Sequence, residues 1–129
     1  MVFPTSGPGC WRIIVTDDDA LKVSQVTQTL RDAGHCVFAA FDGASALELI
    51  ETLPGIQLLV TNSRLGFING PELMRQARAA RPGLPILHLL PRGEAPGGEP
   101  PDVLTLTEPF TPAQLLLAAR ALMGISSQG

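Results

Sequence analysis

At 129 residues, the chain is long enough for one domain with an ordinary core and too short for two comfortable ones. Its 45% apolar share fits a globular protein, and a net charge of −3 gives no global positive field toward nucleic acid or anionic lipid. Cys10 and Cys36 form no CxxC and have no histidine at zinc spacing, so they read as reduced thiols. No apolar stretch approaches the ~20 residues that span a bilayer, and no signal peptide opens the chain, so a cytoplasmic location is expected.

Residues 1–11 carry Pro4, Gly7, Pro8 and Gly9 and read as an irregular leader. A domain is expected over 12–124, with a loose tail at 125–129. Ile13-Ile14-Val15 marks a short strand buried on both faces, ended by Asp17-Asp18-Asp19. Apolar residues from Ala20 to Ala33 recur at helical spacing until Gly34. Cys36 to Ala40 is a second strand, and Ala44 to Leu53 a second helix after Asp42-Gly43. Ile56 to Thr61 is a third strand, followed by a loop over 62–70. Pro71 suits the first turn of a helix that Pro82-Gly83 ends. Ile86 to Leu90 is a fourth strand, and Val103 to Leu106 a fifth. Thr111-Pro112 opens a last helix reaching about Met123.

The order βαβαβαβ argues for a parallel sheet with helices on both faces. Between the fourth and fifth strands the rhythm breaks. Residues 91–101 hold four prolines and three glycines, and a proline inside a helix costs ~3 kcal/mol, so no stable helix forms there. In such a sheet, ligands bind beyond the carboxyl ends of the strands, where strand order reverses. Asp17-Asp18, Asn62 and Glu108 all fall at such ends. With strand order 2-1-3-4-5 they converge.

These residues carry a resemblance to response-regulator receiver domains across about residues 12–123. The first strand with Asp17-Asp18 resembles that family's acidic pair. The stretch from Asn62 to Gly70 is similar to the family's run from its phosphate-accepting aspartate to a glycine eight positions on. Glu108-Pro109-Phe110 stands where the family has Lys-Pro-Phe, and Asp42-Gly43 with Ala46-Leu47 fits the start of its second helix. The resemblance implies a flavodoxin-like doubly wound fold of five parallel strands, here with the fourth helix lost or replaced by the proline- and glycine-rich loop.

It also implies a chemistry that this chain has largely lost. In the family two acids hold Mg²⁺, an aspartate takes the phosphoryl group, a Thr or Ser bonds it and a Lys neutralises it. Asp17 and Asp18 remain. Asn62 replaces the acceptor, and its neutral amide forms no acyl phosphate. Leu90 replaces the hydroxyl, Glu108 the lysine, and Thr105 the aromatic switch residue. Two unit charges ~4 Å apart interact by roughly 4 kcal/mol at an effective dielectric of ~20, so Glu108 in place of Lys opposes phosphate binding. The acids either attract a hard cation with help from Asn62, raise one another's pKa, or merely cap a helix and face water.

The expectation is a pseudo-receiver, not an enzyme and requiring no cofactor, that works in phosphorelay signalling by protein–protein contact. Its partner would be a histidine kinase, a phosphotransfer protein or another regulator. Loss of the fourth helix either exposes part of the last two strands, favouring a homodimer, or covers them with the loop. Neither a nucleic acid nor a membrane is expected as partner. The alternative is a receiver that still transfers phosphate through an unusual residue. A remoter one is a metal-dependent phosphatase of the haloacid-dehalogenase type, suggested by Asp17-x-Asp19 but lacking a downstream acidic pair. Thr61 and Ser63 have no evident histidine partner, and His88 reads as a hydrogen-bonded core residue. His35 reads as a turn residue, Trp11 as a packing residue, and Arg75, Arg78 and Arg81 as a solvated helix face.

Overall fold

A computed structural model describes residues 11–65 and 68–128, with side chains as far as Met123. Apart from Trp11, the expected leader lies outside the described residues, as do Gly66 and Phe67 of the stretch from Asn62 to Gly70. The strands are β1 (Arg12–Thr16), β2 (Cys36–Ala40), β3 (Leu58–Asn62), β4 (Ile86–Leu90) and β5 (Leu104–Thr107). All pair in parallel, in the order β2-β1-β3-β4-β5. The register sets Thr16 beside Thr61 and Asn62 beside Leu89. Asn62 therefore ends a strand and does not begin a loop.

Four helices follow in chain order: α1 (Ala20–Asp32), α2 (Gly43–Thr52), α3 (Gly70–Ala80) and α4 (Pro112–Gln128). Each of the first three starts on a side chain that accepts from free backbone N–H groups: Asp19, Asp42 and Asn69. Thr111 opens α4 in a capping box with Gln114, at 3.1 Å and 2.8 Å. This helix runs on to Gln128, past the end expected near Met123, because no proline interrupts its hydrogen-bond ladder.

Alternation along the strands divides the core. Ile13, Val15, Leu58, Val60, Leu87 and Leu89 face α1 and α4. Ile14, Leu59 and Ile86 face α2 and α3. Among the described residues no helix joins β4 to β5, as the prolines require. Residues 91–103 take the place of a helix on the α3 side, and Val103 packs against that half of the core.

The arginines of α3 hold this loop down. Arg75 Nη1 donates to Gly98 O at 2.7 Å, and Arg78 Nη1 to Asp102 Oδ1 at 2.9 Å. Arg64 pairs with Glu94. Arg81, just past α3, donates instead to Leu53 O at the end of α2. The expected solvated arginine face is thus a set of clamps, since each guanidinium reaches a carbonyl or carboxylate of a neighbouring segment. His35 Nδ1 accepts from Trp11 N–H at 3.2 Å, and Trp11 packs on the α1/α4 half of the core.

Candidate functional site

The strand order sets the ends of β1 and β3 side by side, with α1 rising directly from Asp17–Asp19. Close packing fixes the far side of this point. A Cβ on Gly70 would lie 2.5 Å from Asn62 O and 2.8 Å from Ser63 Cα, so only glycine lets α3 start against the end of β3. That contact gives a physical reason for the glycine eight positions after Asn62.

Asp17 is buried, with Oδ1 accepting from Asp19 N–H at 3.0 Å. Burial pushes its pKa up to about 6, with the Asp18 carboxyl adding to the rise; the Asp19 N–H and the Lys22 charge oppose it. Asp18 thus adds to the rise at Asp17, with desolvation the larger cause, while Asp19 caps α1 and faces water.

Glu108 does not stand as an unpaired acid. Lys22, one turn into α1, places its Nζ 3.0 Å from Glu108 Oε1. The hydrogen bond to Glu108 holds the ammonium pKa above its ordinary value. This corrects the expectation of acids without a lysine. The repulsion assigned to Glu108 is largely neutralised by Lys22, while the attraction of a β5 lysine is still missing. Nothing in the sequence alone assigns Lys22 to the pocket. Its place in the first turn after Asp17–Asp19, in a chain with Glu108 at the family's lysine position, is the signal that links the two.

Asn62 is buried at 1% exposure. Its Oδ1 accepts from Arg64 N–H at 3.1 Å, and its Nδ2 has no hydrogen-bond partner. Leu90 is a buried apolar residue whose carbonyl accepts from Glu108 N–H at 2.8 Å. Thr105 pairs in register with His88, part-way along β5. The structure therefore joins Asp17, Lys22 and Glu108 along one groove, with Asn62 at the next strand end and Thr105 apart. The groove has a volume of about 700 Å³ and runs between α1 and the start of α4, past Val26, Phe110 and Leu115.

Asp17 and Asp18 are the carboxylates that would hold a divalent cation. They fit it only in part. Asn62 Oδ1 is already engaged, the free group there is a donor, and Lys22 lies near. Among the described residues no three His, Cys, Asp or Glu side chains converge as a metal site. A cation here would rest on two carboxylates and water.

A second polar cluster lies on the opposite face of the sheet. Ser63 Oγ and His88 Nε2 are 2.5 Å apart, and Glu99 Oε2 of the 91–103 loop is 3.8 Å from His88 Nδ1. Ser63 thus has the histidine partner that the sequence did not reveal. The two are 25 residues apart and meet only through the β3–β4 register. His88 is, as expected, a hydrogen-bonded core histidine at 1% exposure.

Fold and strand-end geometry together define a receiver-type domain, and comparison with known proteins agrees. The profile of the response regulator receiver domain matches residues 13–95, and the chain belongs to that family. It is 33% identical over 116 residues to the response regulator MprA of Mycobacterium ulcerans, covering 87% of this chain and 50% of that protein. A 76-residue match at 30% identity to the sensor kinase CckA of Brucella abortus covers 58% of this chain and 8% of that one. The chain spans half or less of these curated relatives. A response regulator receiver protein from Sinorhizobium medicae superposes with a TM-score of 0.81 at 32% identity, covering 89% of this chain and 95% of that one. A receiver domain from Clostridium thermocellum shares the fold with a TM-score of 0.80 at 18% identity. Among the described residues no helix is long and apolar enough to cross a membrane.

Proposed function

We propose that this chain is a pseudo-receiver: a two-component signalling module that acts through protein–protein contact, in the cytoplasm, without being phosphorylated itself. The observation that carries this reading is the pair of groups at the acceptor and clamp positions. Asn62 offers an amide with its oxygen engaged, and Glu108 is closed in an ion pair with Lys22. Neither the nucleophile nor the free cation of phosphoryl transfer is in place. A histidine kinase, a phosphotransfer protein or another regulator fits as partner, and a homodimer is compatible. The sensor kinase and response regulators among the relatives support that class of partner. The reading requires no cofactor.

The test is incubation with Mg²⁺ and a small phosphodonor, followed by intact mass. The wild-type chain gains no HPO₃ unit. Asn62→Asp alone gains it slowly, because Glu108 and Lys22 still neutralise one another beside the new carboxylate. Asn62→Asp with Glu108→Lys gains it about tenfold faster, roughly 1.4 kcal/mol of transition-state stabilisation. An adduct on the wild-type chain overturns the proposal. Equal rates for the single and double variants overturn the role given to Glu108.

A further inference from the structure

We propose that Ser63, His88 and Glu99 form a nucleophilic site at which Ser63 Oγ takes an acyl group from a neutral activated donor of the ester or thioester class. The site is separate from the strand-end pocket. Side-chain alternation sends Val60, Leu87 and Leu89 toward α1 and α4, whereas Leu59 and Ile86 face α2 and α3. His88 and Ser63 follow the second set.

An activated serine needs a base within hydrogen-bond reach and a third group that orients the base. Ser63 Oγ lies 2.5 Å from His88 Nε2. The other ring nitrogen, Nδ1, is buried without a hydrogen-bond partner, and Glu99 Oε2 stands 3.8 Å from it. That distance is longer than a hydrogen bond, but the carboxylate favours the tautomer with its proton on Nδ1. Nε2 is then free to accept the Ser63 proton. Burial holds the imidazole pKa below its ordinary value, against a smaller pull from Glu99 and Glu94, so the ring is neutral at neutral pH. Glu99 is itself held, accepting from Gly97 N–H at 3.0 Å. Ser63 is half-buried and open to a reagent, while His88 is enclosed.

Charge selects the donor. Glu99 stands beside the imidazole, the charge of Glu94 also acts on it, and Arg64, next to Ser63, is already paired with Glu94. An anionic phosphoryl donor meets net negative charge here, whereas a neutral acyl donor does not. Ser63 lies outside the groove between α1 and α4 and is partly exposed, so the site fits modification of an accessible hydroxyl more than turnover of an enclosed substrate. In the step itself, Oγ bonds to the carbonyl carbon as its proton passes to Nε2. The C–O or C–S bond then breaks, and the leaving group departs with the proton from Nε2. The product is acyl-Ser63, and nothing is oxidised or reduced.

The test uses p-nitrophenyl acetate on the full chain, with nitrophenolate release followed by absorbance and the acetylated residue located by peptide mass. Ser63 is expected to be the fastest-acetylated side chain, with a rate that rises with pH and levels off by about pH 7. His88→Gln should slow Ser63 acetylation by about 100-fold, and Glu99→Gln by about tenfold. Circular dichroism and melting curves check that each variant folds. If His88→Gln does not, Glu99→Gln decides, since its loop position lies outside the apolar core. Acetylation led by Lys22 or the terminal amine, or a Ser63 rate unchanged by Glu99→Gln, overturns the proposal.

Discussion

On one face of the sheet, α1 and α4 cover Ile13, Val15, Leu58 and Leu87 with apolar contacts from end to end. On the other, α2 and α3 cover only part of the surface, and residues 91–103 close the rest. That loop is tied by Arg75 to Gly98, Arg78 to Asp102 and Arg64 to Glu94. The first face is held by burial, which scales with area and is lost only when the domain opens. On the second face burial holds α2 and α3 in the same way, and only the loop depends on polar links between partly exposed groups, each worth little alone. The two polar clusters follow the same division. The family's phosphorylation pocket sits on the helix-covered face, with Glu108 at its lysine position paired to Lys22 of α1. Ser63, His88 and Glu99 sit where the helix has gone.

Cutting the first face should produce the largest effect. Leu115 of α4 is 1% exposed and reaches the core between α1 and the sheet. Leu115→Ala removes buried methyl groups and leaves a cavity, with an expected loss of about 2–4 kcal/mol in urea denaturation monitored by circular dichroism. The transition should stay a single step for every probe. A loss below about 1 kcal/mol would mean that α4 contributes no more to the core than the loop does, and the contrast between the faces would fail.

The two faces were also unequally legible in the sequence. Short apolar runs such as Cys36–Ala40 and Ile86–Leu90 gave strand spans that the structure repeats residue for residue. The missing helix was legible because Pro91, Pro96, Pro100 and Pro101 remove the N–H groups a helix needs. Asn62, Leu90 and Glu108 were legible as positions, from their distances along the chain. Their partners were not. Lys22 and Glu108 are 86 residues apart, and nothing local in either segment announces the bond. The arginines of α3 show helical spacing whether they face water or a loop, so only the loop's path distinguishes the two. The link between Ser63 and His88 depends on strand register, which a one-residue slip would abolish.

The pocket on the first face makes a pH-dependent contribution of known sign. Folded Asp17 keeps its proton up to about pH 6, against an ordinary value of 3.8. The native state therefore binds more protons between these values. The stability from this group is fully present below about pH 3.8 and is lost as pH rises through about 6. Asp17→Asn keeps an oxygen to accept from Asp19 N–H and removes the buried charge. It should stabilise the domain by about 1–2 kcal/mol at pH 7, with the gain fading toward pH 4. His88 works in the opposite sense: its lowered pKa costs stability as pH falls below the ordinary histidine value. Comparing wild type with Asp17→Asn at each pH cancels that second contribution. A gain independent of pH would show that the acid pair carries no strain.

The smallest effect is expected on the second face, and its location matters more than its size. Arg75 is about half exposed and donates to Gly98 O, so Arg75→Ala removes one tie from the loop and no apolar core. The urea midpoint should barely move. Amide hydrogen exchange between residues 91 and 103 should quicken by about two- to fivefold while β1 and β3 keep their protection, because the loop opens without the sheet. The same local opening draws Glu99 away from His88, so acetylation of Ser63 should slow in step with the exchange. If exchange quickened equally in β1 and β3, the loop would be part of the cooperative core, and the arginine ties would stabilise the whole domain as the apolar contacts of α4 do.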